Sequence, residues 1–247
     1  MPDADPFAHH PELRDLITDP ETSFFRTFSV ASIRPQLENQ GLPVDWWYSD
    51  AEREALRRAA LKGREDAPLW VFAYGSLMWD PALRFTDLRR ARAPDHARRF
   101  ILRDTKGARG TPEVPGLMAA LDHGPGCEGL AYLIPAEAVD AETEILWRRE
   151  MIGPAYHARF IELELSDSRI TALTFVADHA SDFIVPELSH AEQVRILATG
   201  AGFMGTSFDY LANIASHFKA LGIDDPDVVR LLHDTQAHLA AQAPADA

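Results

Sequence analysis

A chain of 247 residues, 46% of them hydrophobic, can bury one substantial core, and one main body with an appendage suits that length better than two equal domains. Its 38 acidic against 24 basic residues give a formal net charge of -14, which excludes nucleic acid as a natural partner, because phosphate recognition needs Lys and Arg clustered in excess. The single cysteine, Cys127, excludes an internal disulfide, and no Cys/His spacing resembles a zinc site, so a reducing compartment and no metal or organic cofactor are expected.

Residues 1 to 66 differ in texture from the rest of the chain. Prolines at 2, 6, 11, 20, 35 and 43 break the segment into short pieces. Phe24, Phe25, Phe28, Trp46, Trp47 and Tyr48 nonetheless carry too much aromatic surface for a solvated tail, so the segment is expected to pack on the body formed by residues 67 to 247. The start of the chain lacks a charged region followed by an apolar stretch, and no later run approaches the ~20 apolar residues of a membrane span, which predicts a cytoplasmic protein without a membrane segment. Ser49-Asp50-Ala51-Glu52 reads as a capping box that opens a helix through Ala55, Leu56, Ala59 and Ala60, with Gly63 to close it.

Strand-like runs lie at 69–73, 97–102, 117–121, 129–134, 158–164 and 170–176, separated by turn residues. The first, Leu69-Trp70-Val71-Phe72-Ala73, leads directly into Tyr74-Gly75-Ser76-Leu77, where Gly75 permits a sharp turn that presents backbone N–H groups to an anion. The bland alternative is an ordinary strand-turn joint. Ser76 lacks the second glycine of a nucleophile elbow and is assigned to binding. Helical spacing predicts helices over 136–151, 189–197, 208–221 and 225–241. Strands without regular intervening helices predict an α+β fold around a mixed or antiparallel sheet.

The helix over 136–151 carries a carboxylate on its apolar stripe: Val139, Leu146 and Glu150 are seven and four positions apart and share a face. Glu150 also sits in the last turn, before Gly153-Pro154, at the negative end of the helix dipole. Burial and the dipole both push a carboxyl pKa upward, as a general acid/base at neutral pH requires. The structural alternative is a C-terminal glutamate paired with Arg148 or Arg149.

Gly200-Ala201-Gly202-Phe203-Met204-Gly205 satisfies the G-x-G-x-x-G spacing of a dinucleotide site, with Asp224 and Asp225 roughly 20 residues on. A fingerprint must follow a buried strand, however, and here Ser189-His190-Ala191-Glu192 caps a helical run, so the glycines are expected to join two helices. His9-His10 reads as an exposed pair.

The Tyr74-Gly75-Ser76-Leu77 loop, Arg109-Gly110-Thr111-Pro112-Glu113-Val114-Pro115-Gly116, Gly129-Leu130-Ala131-Tyr132 and Trp147-Arg148-Arg149-Glu150 occur in this order, and together they resemble the ChaC-like γ-glutamylcyclotransferases over about residues 69 to 225. The resemblance implies a γ-glutamylcyclotransferase-like mixed sheet curled toward a small barrel with flanking helices. It also implies glutathione cleavage to 5-oxoproline and Cys-Gly by attack of the substrate's α-amine on its own γ-carbonyl. Glu150 matches the family's catalytic glutamate, which directly follows an arginine. Val71, Phe72, Ala73, Tyr74, Gly75, Ser76 and Leu77 would form the substrate-binding strand and loop. Arg109 either steers an anionic substrate end or is a solvated loop residue, Glu113 is a second acid or a surface turn residue, and Tyr156 bonds substrate or merely packs. Leu117 to Leu121 stands where many relatives carry an Arg-Val-Val-Thr-Leu-like run. The same cyclisation on other γ-glutamyl amides, and a non-catalytic γ-glutamyl metabolite-binding protein, are the alternatives. The sequence leaves the oligomeric state open.

Overall fold

The computed structural model describes residues 5–242, in two compact units. The first takes the residues up to Pro35, then Asp45–Arg98 and Leu121–Asp178; the second takes Gln36–Val44, Arg99–Ala120 and the residues from His179 onward. In chain order the elements are α1 (Val30–Asn39), α2 (Asp50–Leu61), β1 (Leu69–Ala73), β2 (Asp87–Ala93), β3 (His96–Asp104), β4 (Gly116–His123), β5 (Cys127–Ile134) and α3 (Val139–Glu150). Next come β6 (Tyr156–Glu164), β7 (Arg169–Ala177), α4 (His190–Thr199), the two-residue strands β8 (Ala201–Gly202) and β9 (Gly205–Thr206), α5 (Ser207–Leu221) and α6 (Pro226–Gln242).

The first unit is organised by a closed five-stranded barrel, in the order β1-β5-β2-β6-β7. Neighbours are antiparallel except at the closure, where β1 runs parallel to β7 with Trp70 opposite Ala172 and Val71 opposite Leu173. Strand alternation sends one set of side chains inward: Phe72 and Tyr74, Ala91 and Ala93, Cys127 and Ala131, Ile161 and Leu163, Ala172 and Val176 all meet in one buried cluster. So few strands enclose a narrow lumen, and alanines at four of these positions leave room for the larger residues. Gly129 occupies an inward position where even a methyl is excluded, since a Cβ there would stand 2.2 Å from the Ala73 carbonyl oxygen.

The barrel also contains a strand that the sequence does not announce. β2, Asp87-Leu88-Arg89-Arg90-Ala91-Arg92-Ala93, escapes hydropathy because three of its seven residues are arginines, two of them matched by acids, Arg89 by Asp167 at 2.9 Å and Arg92 by Glu164 at 3.3 Å. Its apolar residues, Leu88, Ala91 and Ala93, are all buried and do not alternate regularly along the strand. The helix expected over 136–151 divides into a 3₁₀ turn, Ala136–Ala138, and α3.

The amino-terminal segment holds three 3₁₀ turns, Pro11–Leu16, Pro20–Thr22 and Phe24–Arg26, ahead of α1 and α2. α1 tolerates Pro35 in its interior, a residue that sequence reasoning takes as a breaker. The capping box of α2 forms as expected, with Ser49 and Glu52 each bonded to the other's backbone. Residues 45 to 66 fall in the same unit as the barrel.

In the second unit α4, α5 and α6 pack on one another. The G-x-G-x-x-G segment is the tight β8-β9 hairpin between α4 and α5, with Ala201 opposite Thr206, and no strand leads into it from a sheet. Thr206 caps α5 reciprocally with Asp209, so these glycines join two helices as the sequence predicts. Among the described residues no helix is long and apolar enough to cross a membrane.

Candidate functional site

The candidate site lies in the first unit, where the loop leaving β1 meets the last turn of α3. After Ala73 the chain leaves the sheet, and Ser76–Met78 wind into one 3₁₀ turn with Gly75 at its N-cap. Glycine offers no side-chain acceptor there, and the first N–H groups of a helical turn have no carbonyl behind them to bond. The first N–H groups of the turn are therefore not taken by its own carbonyls. Side-chain donors fix it in place: buried Arg98 donates from Nε to the Tyr74 carbonyl at 2.5 Å and from Nη2 to the Glu128 carbonyl at 2.6 Å, and Tyr132 donates its hydroxyl to the Met78 carbonyl at 2.6 Å. Arg149 donates from Nη2 to Ser76 Oγ at 2.9 Å and from Nη1 to the Asp80 carbonyl. Burial pushes the Tyr132 phenol well above its ordinary range, which keeps it a neutral donor.

Glu150 ends α3. Val139 and Leu146, on its face, are each 1% exposed, while the Glu150 side chain is 16% exposed and reaches a little solvent. Burial pushes its carboxyl above the usual glutamate range, and the charge and hydrogen bond of Arg149 pull the other way without overcoming it. Arg149 Nε stands 3.2 Å from Glu150 Oε1, so of the two arginines offered by sequence it is Arg149 that pairs. Arg148 turns away to donate to the Arg26 and Phe28 carbonyls, both at 3.1 Å.

The other expected residues separate. Val71, Phe72 and Ala73 lie in β1 with side chains fully buried or nearly so and with backbones paired to β5. Tyr74 and Leu77 are buried and Ser76 is half-buried. Tyr156 opens β6 opposite Ala177 and is half-buried. Arg109 belongs to the second unit, where buried Asp104 accepts the N–H groups of Lys106, Arg109 and Gly110 and so shapes its loop. The Arg109 guanidinium donates to the Met204 carbonyl and lies 5.6 Å from the Tyr210 ring centroid, which makes it a bonded residue of its own unit rather than a solvated one. Glu113 is exposed and lines a cleft of that unit with Arg103 and Arg195. Among the described residues no group of three or more His, Cys, Asp or Glu could hold a metal ion.

Sequence reasoning passes over the supporting residues. Arg98 reads only as part of a strand, while Tyr132 and Arg149 stand in motifs that the sequence reading quotes but without their roles in bracing the loop, because those partners lie 54 or more positions away.

A family model described as ChaC-like protein matches residues 69–238. The chain is 35% identical to the glutathione-specific gamma-glutamylcyclotransferase of Escherichia coli K12, over 80% of this chain and 86% of that one. It is 32% identical to the human glutathione-specific gamma-glutamylcyclotransferase 1, over 62% of this chain and 71% of that one. A yeast structure of a glutathione-specific gamma-glutamyl cyclotransferase superposes with a TM-score of 0.64 at 20% identity, covering 72% of this chain and 99% of that chain, and so shares the fold. With most of its length matched by the family model and by a bacterial relative, this chain belongs to the ChaC-like family.

Proposed function

We propose that this protein is a glutathione-specific γ-glutamylcyclotransferase, a lyase that converts glutathione to 5-oxoproline and Cys-Gly in the cytoplasm without metal or cofactor. The observation that carries the reading is Glu150: a carboxyl raised above its usual range by burial, paired with the same arginine that fixes the Tyr74 to Leu77 loop. The names of the bacterial and human relatives support glutathione as the substrate.

The free α-amine of a γ-glutamyl amide lies a few bonds from its own γ-carbonyl. Attack forms an N–C bond that closes a five-membered lactam, and the bond to the cysteinyl nitrogen breaks, with no enzyme nucleophile or water required. Orientation is then the main demand. Glu150 takes the proton from the attacking amine and returns one to the departing cysteinyl nitrogen, for which a pKa nearer neutrality than that of free glutamate is suited. N–H groups of the 74–77 loop hold the substrate carboxylate or the developing oxyanion, with Ser76 beside them. The strand residues Val71 to Ala73 set the position of the loop, and Tyr156, at the start of β6 in the same unit, bonds to the substrate. An acidic protein of charge -14 has no use for nucleic acid.

The test is 5-oxoproline release by purified protein from glutathione, γ-glutamyl amino acids and γ-glutamylamines. Turnover of glutathione far above the others supports the assignment. A preference for another γ-glutamyl amide reassigns the leaving group, and release from none of them overturns the enzymatic reading.

A further inference from the structure

The amino-terminal segment reaches the site from outside the residues matched by the family model. The ring of Phe25 lies under the guanidinium of Arg149, whose central carbon is 3.9 Å from the ring centroid. Arg149 is itself buried, with 4% of its side chain exposed. Its edge donates to Ser76, to the Asp80 carbonyl and toward Glu150, but a guanidinium has no hydrogen-bonding capacity on its flat faces, and an aromatic ring is a fitting cover for one of them.

Phe25 is held firmly enough to act as a support. Its ring packs edge-on against Phe24 and Phe28 at centroid distances of 5.4 and 6.1 Å. The next residue, Arg26, pairs with Glu142 of α3 and donates to the Ala82 carbonyl at 3.0 Å. Seven positions before Phe25, the Thr18 N–H donates to the Trp79 carbonyl at 2.7 Å, at the end of the site loop. The turn after Glu150 is gripped by the same segment: Tyr48 N–H donates to the Ile152 carbonyl at 2.8 Å, and Arg53 Nε to the Met151 carbonyl at 3.2 Å. Trp46 stands so close to Gly153 that a Cβ there would be 2.8 Å from its ring.

We propose that Phe25 is a positioning residue of the reaction, its ring holding the Arg149 guanidinium in the one orientation that sets both Glu150 and the Ser76 loop. The appendage thereby completes the catalytic site rather than only covering apolar surface. The proposal rests on the reading of Glu150 as the acid/base. A long arginine side chain has many rotamers, and a ring against its face removes most of them before substrate arrives.

The test is Phe25→Leu, which keeps an apolar side chain and removes the π face, assayed for kcat and KM with glutathione across pH and for melting temperature. Loss of a buried cation–π contact is expected to lower kcat roughly 3- to 30-fold, with a smaller change in KM. The acid limb of kcat is expected to move to higher pH, because a loosened Arg149 stabilises the Glu150 carboxylate less. Phe25→Tyr should restore both. In a double-mutant cycle, Phe25→Leu added to Arg149→Lys should cost far less than in the wild-type background. If Phe25→Leu is too unstable to assay, Phe25→Met carries the same test. A fall in melting temperature with kcat and acid limb unchanged, or additive effects in the cycle, overturns the proposal. Glu150→Gln, run in parallel, separates the two readings: if it retains turnover the acid/base assignment fails, and if it is inactive while Phe25→Leu behaves as wild type only the positioning role fails.

Discussion

Arg149 Nε lies 3.2 Å from Glu150 Oε1 while Nη2 of the same guanidinium donates to Ser76 Oγ at 2.9 Å, so one side chain joins the carboxyl at the end of α3 to the turn after β1. Two segments more than 70 residues apart are thereby set in one geometry. Replacing the carboxyl tests what that geometry serves. Glu150→Gln keeps the shape and removes the proton acceptor, so turnover should fall by roughly 10²- to 10⁴-fold with glutathione still bound. The measurement is 5-oxoproline released at saturating substrate. The acid limb of the wild-type profile should lie above the ~4.3 of free glutamate.

The same substitution should stabilise the protein, and only above acid pH. The Glu150 carboxyl is raised in the folded state by burial. Its contribution to stability is therefore fully present below the unfolded pKa, where both states are protonated, and is lost as pH rises through the folded value. Glutamine suffers no such loss. Melting curves of wild type and Glu150→Gln should coincide near pH 4 and separate toward pH 8 with the variant higher; a wild type as stable as the variant at pH 8 would contradict the raised carboxyl.

Glu142 should be a strong stability determinant without chemical function. Its side chain is 1% exposed, receives both Nη atoms of Arg26 and accepts the Arg84 N–H at 3.0 Å. Glu142→Ala removes the buried partner of the largely buried Arg26 guanidinium and is expected to cost about 3 kcal/mol. Denaturant unfolding measures this, and a cost below about 1 kcal/mol would show that the pair is dispensable.

Deleting residues 1 to 66 should lower both melting temperature and solubility, because it uncovers apolar surface under the aromatic residues and removes Arg26 from Glu142. A truncated protein that melts as the full chain does and stays monodisperse would make the segment a mere appendage.

N-acetylated glutathione should not be consumed, since its nitrogen has lost the free lone pair that closes the lactam, and exhaustive chelation should leave the rate with glutathione unchanged. Loss of activity with EDTA that returns with added metal would replace this mechanism.

The sequence by itself determined the α+β class, the strand and turn around Gly75, the apolar face that carries Glu150, and the reading of Gly200 to Gly205 as a joint between helices. All of these are written in short-range signals: alternation, helical spacing and capping residues. It missed β2, whose three arginines and irregular burial hide the strand until the acids that pair with Arg89 and Arg92 are known. A sheet curled toward a barrel was expected, and the family resemblance implied it too, but which strands close it was not legible, because pairing β1 with β7 joins residues about 100 positions apart. The choice of Arg149 over Arg148 as the partner of Glu150, the engagement of Arg109 by Met204 and Tyr210, and the seat of Phe25 on Arg149 were decided by tertiary structure. A buried guanidinium takes whatever acceptors and ring faces the finished fold brings within reach, and that supply has no period along the chain.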